Sequence, residues 1–234
     1  MRCIRWLTVV LMSPSVAFAA PLQAVLVGDY RPLKAAEAAS HGEGFEASWL
    51  AELGEVMGSK IVVVGAREQA NVQVGTVGSG AIYYSSDIAA LTAAEKGPAA
   101  WSDLDGKVFC VAEGSPYAPV VESRFGGTAR SYPSAAQSLI GLKLGECQAV
   151  VDDRLLLQQI ATLPEWRRYN RLLPSFEDAS VSLRIEAHDS VLQQRLSHAA
   201  SSEQGKEALV NVTQHWIDEV AFQAYVLAET LDCH

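Results

Sequence analysis

The stretch from Gly106 to Asp153 limits what this chain can fold into more than any other part of it. It opens with GKVFCVAEGSPY (106–117), an apolar, β-prone run that meets Gly114, Ser115 and Pro116. Such a run predicts a buried strand ending in a loop that starts a helix. SAAQSLIGLKLG (134–145) has helical periodicity, with Ser134 and Gln137 at capping-box spacing and Gly145 where a glycine cap belongs. CQAVVDD (147–153) predicts the next strand, and SRFGGTARSY (123–132) leaves room for a helix end, a turn and a short strand. The order strand–helix–strand–helix–strand makes a parallel sheet with right-handed crossovers. Ligands of open sheets of this kind bind off the carboxyl ends of the strands. Here those ends carry Glu113–Gly114–Ser115 and Asp152–Asp153.

Arg2 and Arg5, the apolar run WLTVVLM (6–12) and the small residues AFAA (17–20) read as a cleaved secretory signal over residues 1–20. The apolar run is too short to span a bilayer, and no later segment is apolar and long enough to insert once the signal is gone. Cys3 lies too early for a lipid anchor. The formal charge of −9 becomes −11 when Arg2 and Arg5 leave with the signal. That balance argues against nucleic acid and against an anionic membrane surface. About half the 234 residues are apolar, enough for a substantial core.

Export implies an oxidising compartment. Cys110, Cys147 and Cys233 follow the signal, an odd number that leaves at least one unpaired or intermolecular. Cys110 lies in the first strand of the central unit and Cys147 opens the third. Those strands are usually neighbours in this topology, so a bridge is geometrically reasonable; two buried thiols are the alternative.

AVLVG, then Asp29–Tyr30–Arg31–Pro32, predicts a first strand and its turn. Phe45, Trp49, Leu53, Val56 and Met57 form a helical stripe closed by Gly58. KIVVVG (60–65), Val72–Val74 and IYYSSDIAALTAA (82–94) predict extended segments, and EKGPAAWSDLDG (95–106) reads as a linker. RLLLQQIATL is helical up to Pro164, a strand returns near Val181–Ile185, Asp189 caps a helix, and the last thirty or so residues are helix. No GxSxG elbow, HExxH helix, P-loop lysine or GxGxxG order is present. The five histidines fall in different elements. No catalytic set, metal site or cofactor is expected.

In order and spacing these pieces resemble the bacterial extracellular solute-binding proteins of family 3, the polar amino-acid type. The resemblance rests on VGDYRPL, GFEASWLAELGEVMG, IYYSSDIAALTAAEKG, WSDLDGKVFCVAEGS and GECQAVVDDRLLL. It implies an α/β, periplasmic-binding-protein type II-like fold, with two lobes that each carry a mainly parallel sheet flanked by helices. Lobe 1 would comprise 21–98 with 186–234 returning to it, and lobe 2 would comprise 99–185. The implied function is capture of a small polar, amino-acid-like solute in the inter-lobe cleft of a periplasmic monomer that serves an ABC permease. Tyr30, Tyr83, Ser115 and Asp153 are the implied ligand-binding residues, with Asp153 pairing a ligand ammonium. The resemblance also implies a Cys110–Cys147 disulfide, as in the glutamate/general amino-acid subgroup.

Three departures stand beside it. Family members carry a longer segment before the tyrosine pair, with an arginine that grips the ligand carboxylate. Here that segment is GTVGSG (75–80), without an arginine, and Arg67 is the one nearby cation that could replace it. The family's Gly-Thr-Thr helix start is Gly114–Ser115–Pro116, where proline removes an amide donor. Local readings also stay open: Asp153 as a helix N-cap, Ser115 as an N-cap, Asp152 as an exposed or capping residue, and one of Tyr83 and Tyr84 turned to the core. The shortened first lobe admits an alternative function, an accessory or chaperone-like partner of a periplasmic enzyme such as a quinoprotein dehydrogenase. A few relatives are dehydratases.

Overall fold

The computed structural model describes residues 20–36, 42–66, 69–76, 78–174 and 176–231. The expected signal up to residue 19, Arg67 and Cys233 lie outside them.

The central unit forms as its sequence predicts. β5 (Val108–Ala112), α2 (Tyr117–Phe125), β6 (Thr128–Tyr132), α3 (Ala135–Lys143) and β7 (Ala149–Asp153) follow one another. β5 pairs in parallel with both β6 and β7. The Ser134 hydroxyl caps α3 by accepting from the Gln137 amide at 3.2 Å. Cys110 and Cys147 are bonded to each other, with Cα atoms 5.8 Å apart. α3 rests directly on this bridge: a Cβ added at Gly141 would stand 2.9 Å from the Cys110 sulfur.

A second parallel unit precedes it. β1 (Leu22–Val27) pairs in parallel with β2 (Ile61–Val64) on one side and β3 (Val72–Gly75) on the other. α1 (Phe45–Met57) covers β2. Its buried face is Phe45, Glu46, Trp49, Leu50, Leu53 and Gly54. Gly58 ends it in the left-handed conformation, φ 62°.

Two long antiparallel strands, β4 (Ala81–Thr92) and β9 (Phe176–Ala187), join the units. β4 pairs with β9 up to Ile88 and with β7 from Ile88 to Thr92. β9 pairs with β3 through Arg184–Ala187. The sheet therefore runs unbroken as β2-β1-β3-β9-β4-β7-β5-β6, with the short β8 (Arg171–Leu172) on β4. Two facing sheets are the simplest expectation from two strand–helix units. One curled sheet results because β9 pairs with β3 of the first half, β4 pairs with β7 of the second, and β4 and β9, at twelve residues each, are long enough to pair with each other as well. α4 (Arg154–Thr162) and α5 (Ser190–Ser201) begin at the caps Asp153 and Asp189. The final helix, α6 (Glu203–Leu231), packs on α1 of the first half and on α3 and α4 of the second.

Candidate functional site

The two halves meet at the carboxyl ends of their strands, and the contact is close. Gly114, after β5, has φ +73°, and a Cβ there would lie 2.6 Å from the Asp29 carbonyl oxygen after β1. Beside this contact the rings of Tyr30 and Tyr117 meet edge to face with centroids 5.8 Å apart, and their hydroxyls are 3.4 Å apart.

Asp153 ends β7 and is fully buried. Its carboxylate accepts from the hydroxyl of Tyr84, from the Ser86 hydroxyl at 2.7 Å and from the amides of Leu155 and Leu156 at 2.8 and 3.5 Å. The last two bonds make it the N-cap of α4. Burial raises its pKa, and these hydrogen bonds oppose the rise. Asp152 is buried as well, 4% exposed, where an exposed residue was an open expectation. One of its oxygens accepts from the Asp153 amide at 2.8 Å, and Oδ2 has no partner. Burial, with the Asp153 charge adding to it, raises its pKa to about 7. Burial also holds Tyr30 and Tyr117 well above the usual phenol range, so both stay neutral. Among the described residues neither carboxylate pairs with a basic side chain; the seam holds two buried carboxyls and three tyrosines with no resident cation.

The expected ligand residues are thus dispersed. Tyr30 and Asp153 share the seam, where each feels the other electrostatically. Ser115 sits at the start of α2, and its oxygen accepts from the Tyr117 amide at 3.3 Å. Tyr83 stacks on Trp49, centroids 3.9 Å apart and planes 9° off parallel, and its buried hydroxyl has no partner. Strand alternation would send Tyr83 and Tyr84 to opposite faces with one of them at the core; instead both are buried. The reason is a bulge: the β4–β9 register slips between Ile82 and Tyr84, with Tyr83 as the extra residue. Tyr84 and Ser86, two apart on one strand, were the period-two signal that could have found Asp153's partners. Tyr117 carried no such signal.

A separate cavity of about 450 Å³ opens off the carboxyl ends of β1 and β2, at the start of α1 and under α6. Val25, Val63, Phe45 and Trp216 give it apolar walls, while Arg31, Lys34, Glu43, Glu46 and Glu219 supply charge. Among the described residues none of its lining comes from 99–185. Glu46 is 2% exposed, and burial raises its pKa to about 7 although Arg31 opposes the rise.

No protein-family model and no curated protein matches the sequence. Solved structures do match the fold. The ligand-binding core of GluR0 from Nostoc punctiforme, in complex with L-glutamate, aligns with 85% of this chain and 100% of its own at TM-score 0.60 and 14% identity. An ancestral arginine-binding protein bound to arginine aligns with 85% of this chain and 99% of its own, at TM-score 0.59 and 14% identity. The VFT2 domain of Bordetella pertussis BvgS aligns with 83% and 92%, at TM-score 0.58 and 14% identity. The fold is that of the type II periplasmic binding proteins, as the sequence resemblance implies. Among the described residues no helix is long and apolar enough to cross a membrane.

Proposed function

We propose that the protein is an exported, non-enzymatic solute-binding protein of the periplasm that takes a small polar solute bearing an ammonium group at the Asp152–Asp153 seam and delivers it to an ABC importer. One observation carries this reading: two buried carboxyls stand among Tyr30, Tyr84 and Tyr117 without a cation among the described residues. Buried carboxylates are costly unless a positive charge or strong donors meet them, and aromatic faces also favour a cation. A solute ammonium answers both needs. In the closed state the Tyr84 and Ser86 hydroxyls satisfy Asp153. Opening about β4 and β9, the two strands shared by both halves, frees that carboxylate for the solute, and closing traps it.

The solved neighbours named as binding glutamate or arginine support a solute role for this fold. No arginine stands in 75–80, and Arg31 is turned to the Tyr30 carbonyl at 2.7 Å and to Glu46 at 4.0 Å. Among the described residues no basic side chain at the seam is placed for a solute carboxylate, so amines fit it better than α-amino acids. Thermal unfolding with 1,4-diaminobutane, 1-aminobutane, L-glutamate and L-arginine tests this. A solute at 100 times its Kd stabilises by about 2.7 kcal/mol. The amines are expected to raise the unfolding temperature in the protein but not in Asp152→Asn/Asp153→Asn. The reading fails if none of the four shifts it, or if the shift survives in that variant.

A further inference from the structure

We propose that the cavity of the first half is a second solute site, for an apolar carboxylic acid that carries a hydrogen-bond donor next to its carboxylate. Its volume of about 450 Å³ lies within the range of small-molecule sites, roughly 300–1,000 Å³. The site stands apart from the seam: Asp152, Asp153 and Tyr117 are not among its lining residues.

The groups around it ask for both halves of such a head group. On the acceptor-seeking side are Arg31 and Lys34. The Lys34 ammonium has no partner among the described residues, and Arg31 gives one N–H to the Tyr30 carbonyl. The first turn of α1 joins them: its N-cap is Gly44, with φ 121° and no side chain to meet the leading amides, of which the Glu46 amide is met by its own carboxylate. Helix amides at an N-terminus that the N-cap side chain does not meet favour an anion. On the donor-seeking side is Glu46, which lines the same cavity; its buried Oε1 stands 4.0 Å from the Arg31 guanidinium and has no hydrogen-bond partner. A buried oxygen without a donor is costly, and a hydroxyl or ammonium on the solute would meet it. The rest of the chamber is apolar, and Val25, Val63, Phe45 and Trp216 match a hydrocarbon or aromatic body. Glu219 and Glu43 also line the chamber, Glu219 accepting from Gln223 at 2.9 Å and Glu43 exposed to solvent, so a bound carboxylate has to be held by Arg31 and Lys34.

The test uses calorimetric titration with 2-hydroxy-3-phenylpropanoate, L-phenylalanine and 3-phenylpropanoate, the last lacking the donor. At least one of the first two is expected to bind tenfold or more tightly than 3-phenylpropanoate. Lys34→Gln, which breaks no side-chain hydrogen bond or ion pair among the described residues, is expected to weaken that binding tenfold, and Val63→Phe, which fills the chamber, to abolish it. Glu46→Gln separates the two donors: an ammonium solute loses tenfold or more with the charge, whereas a hydroxyl solute tolerates the amide. The proposal is overturned if 3-phenylpropanoate binds as well as the other two. It is equally overturned if Lys34→Gln and Val63→Phe leave binding unchanged, or if no acid binds at millimolar concentration.

Discussion

Replacing Asp152 by Asn should reduce the dependence of stability on pH, leaving the share that Glu46, also raised to about 7, contributes in both forms. The Asp152 pKa is pushed up to about 7 in the folded protein, against the ordinary 3.8, because the carboxyl is buried. A carboxyl with a raised folded pKa contributes stability that is fully present below its unfolded pKa and is lost as pH rises through the folded value. Each unit is worth about 1.4 kcal/mol, so the loss between pH 5 and pH 8 comes to about 3 kcal/mol for this one residue. Asp103 and Glu186 have lowered pKa values and act the opposite way, but only as pH falls into the acid range. In Asp152→Asn the Oδ1 bond from the Asp153 amide is retained, while the new amide group has to find acceptors. The absolute stability therefore mixes two effects, and the slope isolates the charge. Urea unfolding at pH 5, 6, 7 and 8 measures it. The protein should lose about 3 kcal/mol more than the variant over that range, and a saturating amine should reduce the difference by pairing the charge. Coincident slopes would refute the claim that Asp152 is a buried, uncompensated acid.

Two further outcomes test the frame that holds the seam. Removing the Cys110–Cys147 bridge, whose ends are 37 residues apart, should lower stability by up to about 4 kcal/mol; a Cys110→Ala/Cys147→Ala variant with an unchanged urea midpoint would show that the bridge does not constrain the unfolded chain. Gly114→Ala combines a left-handed backbone with a 2.6 Å approach to the Asp29 carbonyl oxygen and should cost about 2 kcal/mol in the same assay; a neutral result would mean that the tips after β1 and β5 do not touch.

Much of the fold was legible in the sequence because local rules carry it. Ser134, Asp153 and Asp189 announce helix starts through the oxygen each presents to the amides that follow, and all three do cap. Gly58 and Gly145 close α1 and α3 at φ 62° and 73°, a conformation that glycine adopts without penalty. The alternation and length of 82–94 mark an extended segment, though not that it serves both halves. The site was less legible. Asp153 could be read as ligand partner or cap, and its cap role and its place at the seam coexist. Asp152 and Glu46 gave no sign of burial, because a charged residue in a short motif is exposed on base rates. The bulge at Tyr83 could not be foreseen either, since its cause lies in the pairing of β4 with a strand about a hundred residues away.

By itself the sequence determined the α/β order, the helix boundaries and the placing of an acid pair at a strand's carboxyl end. Those features follow from side-chain periodicity and from backbone amides near in sequence. Only the tertiary structure decided that β4 and β9 fuse the halves into one sheet, that Tyr84 rather than Tyr83 meets Asp153, and that Glu46 lines a chamber with Arg31 and Lys34. Each of those outcomes depends on groups that chain closure brings together from distant positions. Burial then alters the chemistry of the acids so enclosed, shifting the titration of Asp152 and Glu46 to near neutrality.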